Sequence, residues 1–228
     1  WRVDSRRFDQ CNGCLSFSPP LFHVRSGRQL HVRSVDILPR ETNVAYDKEA
    51  LIALVREKGL EFGDFTLASG KKASFYLDCR KVTLDSRGAN LIGDGILDLL
   101  EGDMPDAVGG MAIGADPITA AVITLAHQRG HALSGFIVRK EAKEHGKGRA
   151  VEGPVESGQE CVIVEDVVTT GGSSLKAIQH VEQFGMKVKK VIAIVDRLEG
   201  GREAFEAAGY ELTTLLTVRD FGIEPVEA

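Results

Sequence analysis

The sequence predicts an α/β domain: a central, mostly parallel sheet flanked by helices. Three observations predict it. From about Tyr46 onward, apolar runs of strand type alternate with stretches of helical period. Residues 161–164 (Cys-Val-Ile-Val) and 191–195 are almost wholly apolar, as strands covered on both faces are. Gly59, Gly130 and Gly185 stand where the helical stretches stop.

The elements follow in order. Asp47 caps a first helix whose apolar face is Ala50, Leu51, Leu54 and Val55. Ser86 is expected to cap a second, with Leu91, Ile92, Ile96 and Leu99 facing the core. Residues 107–113 read as a strand of small side chains. Pro117 then sits where a first helical turn tolerates it. Residues 133–138 are a strand. After the run at 161–164, Ser173 opens a helix ending at Gly185. Residues 191–195, 203–208 and 212–218 complete a strand, a helix and a strand. In such sheets ligands bind beyond the carboxyl ends of strands, near the point where the winding reverses.

Composition bounds the function. The chain has 228 residues, 43% of them hydrophobic and 27% charged, with a formal charge of −5. This is a soluble, globular composition with no apolar stretch near the ~20 residues a membrane helix needs. Neither a broad basic nucleic-acid surface nor a membrane partner is expected, and the expected compartment is the cytoplasm. Four cysteines do not make a disulfide scaffold.

The charge is unevenly placed. Residues 1–40 hold seven Arg, no Lys and three Asp, whereas the remainder carries −9. Residues 1–43 are expected to be a poorly ordered or non-native Arg-rich extension, with 44–228 a single domain. A transit peptide shares the Arg-rich composition, but Asp4 and Asp9 and the missing amphipathic stripe count against it. Cys11-x-x-Cys14 with His23 and His31 lacks the His spacing of a zinc finger and reads as two free thiols on an arm.

Residues 162–174 carry the chemistry. An apolar strand delivers Glu165 and Asp166 to its end, and Val167, Val168, Thr169, Thr170, Gly171, Gly172 and Ser173 turn into a helix. Glycines let the backbone approach an anion, and amide N–H groups, hydroxyls and the helix start attract phosphate. Two carboxylates beside a phosphate cradle require a ligand that donates, such as ribose hydroxyls, or a magnesium ion. No Walker lysine and no dinucleotide Gly-x-Gly-x-x-Gly are present.

This stretch resembles the phosphoribosyl diphosphate (PRPP) motif of type I phosphoribosyltransferases. The resemblance implies that Glu165 and Asp166 hold the ribose 2′- and 3′-hydroxyls and that residues 167–173 wrap the 5′-phosphate. Arg139-Lys140-x-x-Lys143-x-His145-Gly146 resembles the catalytic loop of orotate phosphoribosyltransferases. Residues 62–78 resemble that family's amino-terminal hood (about 44–85), implying orotate contacts from Tyr76 and Leu77. Ala68 stands where some members carry a PRPP-binding Lys, a departure from the family pattern that leaves Lys71 as the candidate to supply that charge. Residues 109–117 resemble the loop against the pyrophosphate, and Arg197, after Asp196, stands where the family places an Arg on orotate; Thr169 shares that ligand. A guanidinium fork suits a carboxylate.

The family's reaction joins orotate to PRPP, giving orotidine 5′-monophosphate and pyrophosphate in pyrimidine biosynthesis. The expected catalytic residues are Lys143, Asp166 and His145. PRPP is expected to meet Arg139, Lys140, Lys143, His145 and Lys71 as well as residues 165–173. Mg2+ is expected as a cofactor carried by PRPP, with no direct protein ligand. A homodimer is implied, in which the 139–149 loop reaches the partner's site. A purine phosphoribosyltransferase and a non-catalytic PRPP-sensing regulator are the alternatives. Replacement Lys143→Ala is expected to lower kcat more than about tenfold with an unchanged circular-dichroism spectrum, since a lost charge contact in the transition state costs over ~1.4 kcal/mol.

Overall fold

The computed structural model describes residues 46–66, 72–140 and 150–225. The Arg-rich segment 1–43 and its Cys11, Cys14, His23 and His31 lie outside the described residues. So do Lys71, Lys143 and His145.

The chain begins its described part with helix α1 (Lys48–Lys58). Asp47 caps it, its Oδ1 accepting from the Ala50 amide at 2.9 Å. An antiparallel hairpin of β1 (Leu60–Thr66) and β2 (Lys72–Leu77) follows, then the short α2 (Arg80–Thr83). Helix α3 (Ser86–Leu100) is capped one residue earlier than the sequence pattern indicates. Asp85, not Ser86, accepts from the Arg87 and Gly88 amides at 2.9 and 3.3 Å. A carboxylate there also complements the helix dipole.

Strand β3 (Ala107–Met111), helix α4 (Ala115–Gln128) and strand β4 (Ser134–Val138) come next. The two-residue edge strand β5 (Val151–Glu152), which the sequence pattern does not reveal, pairs antiparallel with β4. Then come β6 (Glu160–Val168), α5 (Gly172–Phe184), β7 (Lys187–Asp196), α6 (Gly201–Ala207), β8 (Leu212–Thr217) and a 3-10 turn at Val218–Phe221. Strands β6 and β7 outrun their apolar cores, because hydrogen-bonded pairing continues through Glu165 to Val168 opposite Asp196.

The six-stranded sheet has the order β5-β4-β3-β6-β7-β8 and is parallel except at β5. Strand pleating divides its side chains between two cores. Val162, Val164, Ile192 and Ile194 face α1, α3 and α4. Cys161, Ile163, Val191 and Ala193 face α5 and Phe205 of α6. The near-continuous apolar runs are thus explained: each residue is buried, alternately against one layer and the other as far as Ile194, with Val195 joining the same core as Ile194.

Winding reverses between β3 and β6. The chain leaves β3 toward β4 on one side and returns to β6 on the other. Close backbone approach at this seam depends on Gly110. A Cβ there would lie 2.2 Å from the Val164 carbonyl oxygen and 2.8 Å from the Ala115 Cβ. Gly110→Ala is therefore expected to destabilise by about 3 kcal/mol, from the usual range for forced overpacking. At this chain size that lowers Tm by roughly 6–12 °C, to be read in a thermal melt.

Candidate active site

At the reversal point the loops beyond the carboxyl ends of β3 and β6 part, and a cavity of about 300 Å³ opens there. Glu165, Asp166, Val167 and Ser173 form one wall. Ala112, Ile113 and Gly114, leading from β3 into α4, form another. Tyr76 and Leu77 close it from the hairpin, with Asp78, Cys79 and Arg80 in the turn that follows. Lys140 reaches it from beyond β4.

The two acids are neighbours in sequence and their side chains meet, but their further partners differ. Glu165 turns toward α5, where the buried Ser174 hydroxyl donates to its Oε2 at 2.6 Å. Burial, together with the neighbouring Asp166 charge, pushes the Glu165 carboxyl up to about 7, although the Ser174 bond opposes that shift. Asp166 turns toward the α4 loop. A Cβ on Gly114 would lie 2.9 Å from its Oδ1, so that glycine admits the carboxylate. The Val167 amide donates to the same oxygen at 2.8 Å.

The loop from Thr169 to Ser173 leads from β6 into α5. Gly171 has φ +78°, a left-handed conformation that glycine adopts without steric penalty. It turns the chain into α5, whose first amides have no partner within the helix. Thr170, Gly172 and Ser173 are exposed and Thr169 half-buried. The Val168 side chain is buried in the core under α5, and its carbonyl accepts from the Arg197 amide at 2.9 Å.

Arg197 leaves the carboxyl end of β7. Its guanidinium carbon lies 4.6 Å from the centre of the Phe75 ring, and Nη2 meets Glu199 at 2.7 Å. Its Nε is buried with no partner among the described residues. Phe75 belongs to β2, next to Tyr76, so the hairpin aims the arginine. Tyr76 is partly exposed and its ring lies 5.8 Å from Phe65.

Arg139 and Lys140 sit at the base of the segment 141–149, which is outside the described residues. The Arg139 amide donates to the Ala150 carbonyl at 2.8 Å, and its side chain pairs with Glu152 at 3.0 Å. Lys176 of α5 donates to the Lys140 carbonyl at 3.2 Å.

The structure thus brings Glu165, Asp166, Val167, Ser173, Lys140, Tyr76 and Leu77 to one cavity. Arg197, Arg139, Val168, Thr169, Thr170, Gly171 and Gly172 are not among the residues lining it. Asp78, Cys79 and Arg80 escaped sequence reasoning. Their signal is position, directly after Tyr76 and Leu77. Asp78 pairs with Arg80 at 2.8 Å, and that hydrogen bond holds its carboxyl below the usual range. Burial raises the Cys79 thiol, so it stays protonated and inert. Among the described residues no cluster of three or more His, Cys, Asp or Glu is arranged to hold a metal, and no helix is long and apolar enough to cross a membrane.

The family model of the phosphoribosyl transferase domain matches residues 102–208. An orotate phosphoribosyltransferase of Rhodopirellula baltica is 59% identical over 185 residues, covering 78% of this chain and 96% of that protein. One of Aquifex aeolicus is 39% identical, covering 76% and 97%. Among solved structures, the Mycobacterium tuberculosis H37Rv orotate phosphoribosyltransferase in complex with PRPP superimposes with a TM-score of 0.66 at 35% identity, covering 77% of this chain and 99% of that one. The fold is that of the type I phosphoribosyltransferases, and the chain belongs to the orotate phosphoribosyltransferase family.

Proposed function

We propose that this protein transfers the ribose 5-phosphate of PRPP to orotate, forming orotidine 5′-monophosphate and pyrophosphate in pyrimidine biosynthesis. One observation carries the reading. An acid pair and Ser173, at the end of the glycine-turned loop, meet the hairpin wall of Tyr76 and Leu77 at a single cavity on the sheet's reversal point.

In this reading the loop from Thr169 to Ser173 holds the 5′-phosphate through backbone amides and hydroxyls. Glu165 and Asp166 accept from the ribose hydroxyls. Orotate lies against Tyr76 and Leu77, with Thr169 and Arg197 as its polar partners. The guanidinium takes the carboxylate, and Phe75 keeps its plane fixed.

Orotate N1 attacks the anomeric carbon as the bond to pyrophosphate breaks. Positive charge develops on the ribose ring, so the acid pair beside it and the fixed placement of both reactants lower the barrier. Arg139, Lys140, Lys71, Lys143 and His145 surround the leaving pyrophosphate, Lys143 and His145 taking up its negative charge. A magnesium ion would arrive with PRPP rather than sit in a cage of protein ligands. Bound so, Mg2+ neutralises pyrophosphate charge. The protein works as a cytoplasmic homodimer, the 139–149 segment of one protomer serving its partner's cavity.

The test is spectrophotometric. Protein, magnesium and PRPP are mixed with orotate, adenine, hypoxanthine or uracil in separate reactions. Consumption of orotate alone is expected. Turnover of a purine base instead, or PRPP binding without any turnover, overturns the reading.

A further inference from the structure

Ser174 stands apart from the residues assigned to substrate. It follows the anion loop, on the first turn of α5, and its side chain points away from solvent. Its residue surface is 1% exposed, and that of Glu165 is 6% exposed. At 2.6 Å the pair is a short, charge-assisted hydrogen bond when the carboxylate is ionised.

Such a bond settles two matters for Glu165. A buried carboxylate needs donors, and the Ser174 hydroxyl supplies one besides the Asp166 backbone. The bond also selects one rotamer, leaving Oε1 as the oxygen not taken by Ser174. On β7 the residue opposite Glu165 is Ala193, and β3 pairs with β6 only as far as Gly109 opposite Ile163. The charged and titratable groups around the same cavity are Asp166, Asp78, Cys79, Arg80 and Lys140. Asp166 opposes ionisation of Glu165, whereas Arg80 is already paired with Asp78.

We propose that Ser174 is a positioning residue: its hydroxyl holds Glu165 ionised and turned so that its other carboxylate oxygen meets a ribose hydroxyl of PRPP. The inference rests on the reading of Glu165 as a ribose acceptor. Burial lifts the Glu165 carboxyl toward neutrality, and the Ser174 bond limits that rise. The ionised form accepts more strongly, so PRPP affinity gains as pH rises through neutrality.

The experiment is the pH profile of kcat/KM for PRPP in the intact protein, for the natural protein, Ser174→Ala and Ser174→Cys. Loss of the hydroxyl is expected to move the acidic limb upward by roughly half to one pH unit, the equivalent of one net hydrogen bond. KM for PRPP at pH 7 rises about fivefold and recovers above pH 8.5, because a limb shifted that far leaves the alkaline plateau untouched. Ser174→Cys, nearly isosteric with a weak donor, lies between the two and keeps the test open if the alanine variant fails to fold. A profile superimposable on the natural one overturns the inference. So does a uniform loss at every pH, which marks a packing role only. The underlying reading fails separately, if Glu165→Gln leaves KM for PRPP and the acidic limb unchanged.

Discussion

Asp166→Asn is expected to lower kcat/KM for PRPP by about 100-fold. Asp166 is the acid on the open side of the strand end, where Gly114 leaves room for its carboxylate. The Val167 amide already fixes Oδ1, so the side chain is set before the ligand arrives. Asparagine preserves the shape but replaces one acceptor by a donor facing a ribose hydroxyl that also donates. Loss of a charged hydrogen bond costs about 1.5–3 kcal/mol, and the lost charge beside a developing cation adds to it. The side chain is half-buried rather than enclosed, so the melting temperature should hardly move. Steady-state kinetics at varied PRPP, with a thermal melt as control, decide the point. A change under about threefold removes Asp166 from the machinery.

The second large effect concerns Arg197. Arg197→Ala is expected to raise KM for orotate by about 100-fold, since a bidentate charged contact is worth ~3 kcal/mol. Arg197→Lys should lose nearly as much. An ammonium is a point charge and cannot both lie flat on Phe75 and fork onto a carboxylate. Glu199, left without its partner at 2.7 Å, is partly exposed and can turn to water. Uracil, which lacks the carboxylate, serves as the internal control: discrimination between orotate and uracil should collapse. Orotate binding unchanged in Arg197→Ala would assign the guanidinium to holding the hairpin strand alone.

Acid–base behaviour adds a sign. The Glu165 carboxyl is raised to about 7 from an unfolded value near 4.5. Its neutral form is therefore favoured by folding, and that stability is present below pH 4.5 and lost as pH rises toward 7. Site and fold thus pull in opposite directions at this residue: folding favours the neutral acid, ribose binding the charged one. Ser174 lies at that conflict.

Much of this was legible in the sequence. The strand–helix alternation determined the parallel sheet, because a fully apolar run must be covered on both faces. The acid pair, threonines and glycines between a strand and a helix determined an anion loop, because those residue types are what a backbone cradle requires. Cap and end positions followed from local rules and erred by a residue or two, as with Asp85 for Ser86. The remainder is long-range. That Glu165 meets Ser174 of α5 while Asp166 lies against Gly114 depends on which helices cover which side. That Phe75 of the hairpin lies under Arg197 of the sheet, and that Asp78 to Arg80 border the cavity, depends on where the chain returns. By itself the sequence determined the chemistry available, since local pattern needs only neighbouring residues. Only the tertiary structure decided which groups meet, since contacts between distant segments are set by packing and have no local signature.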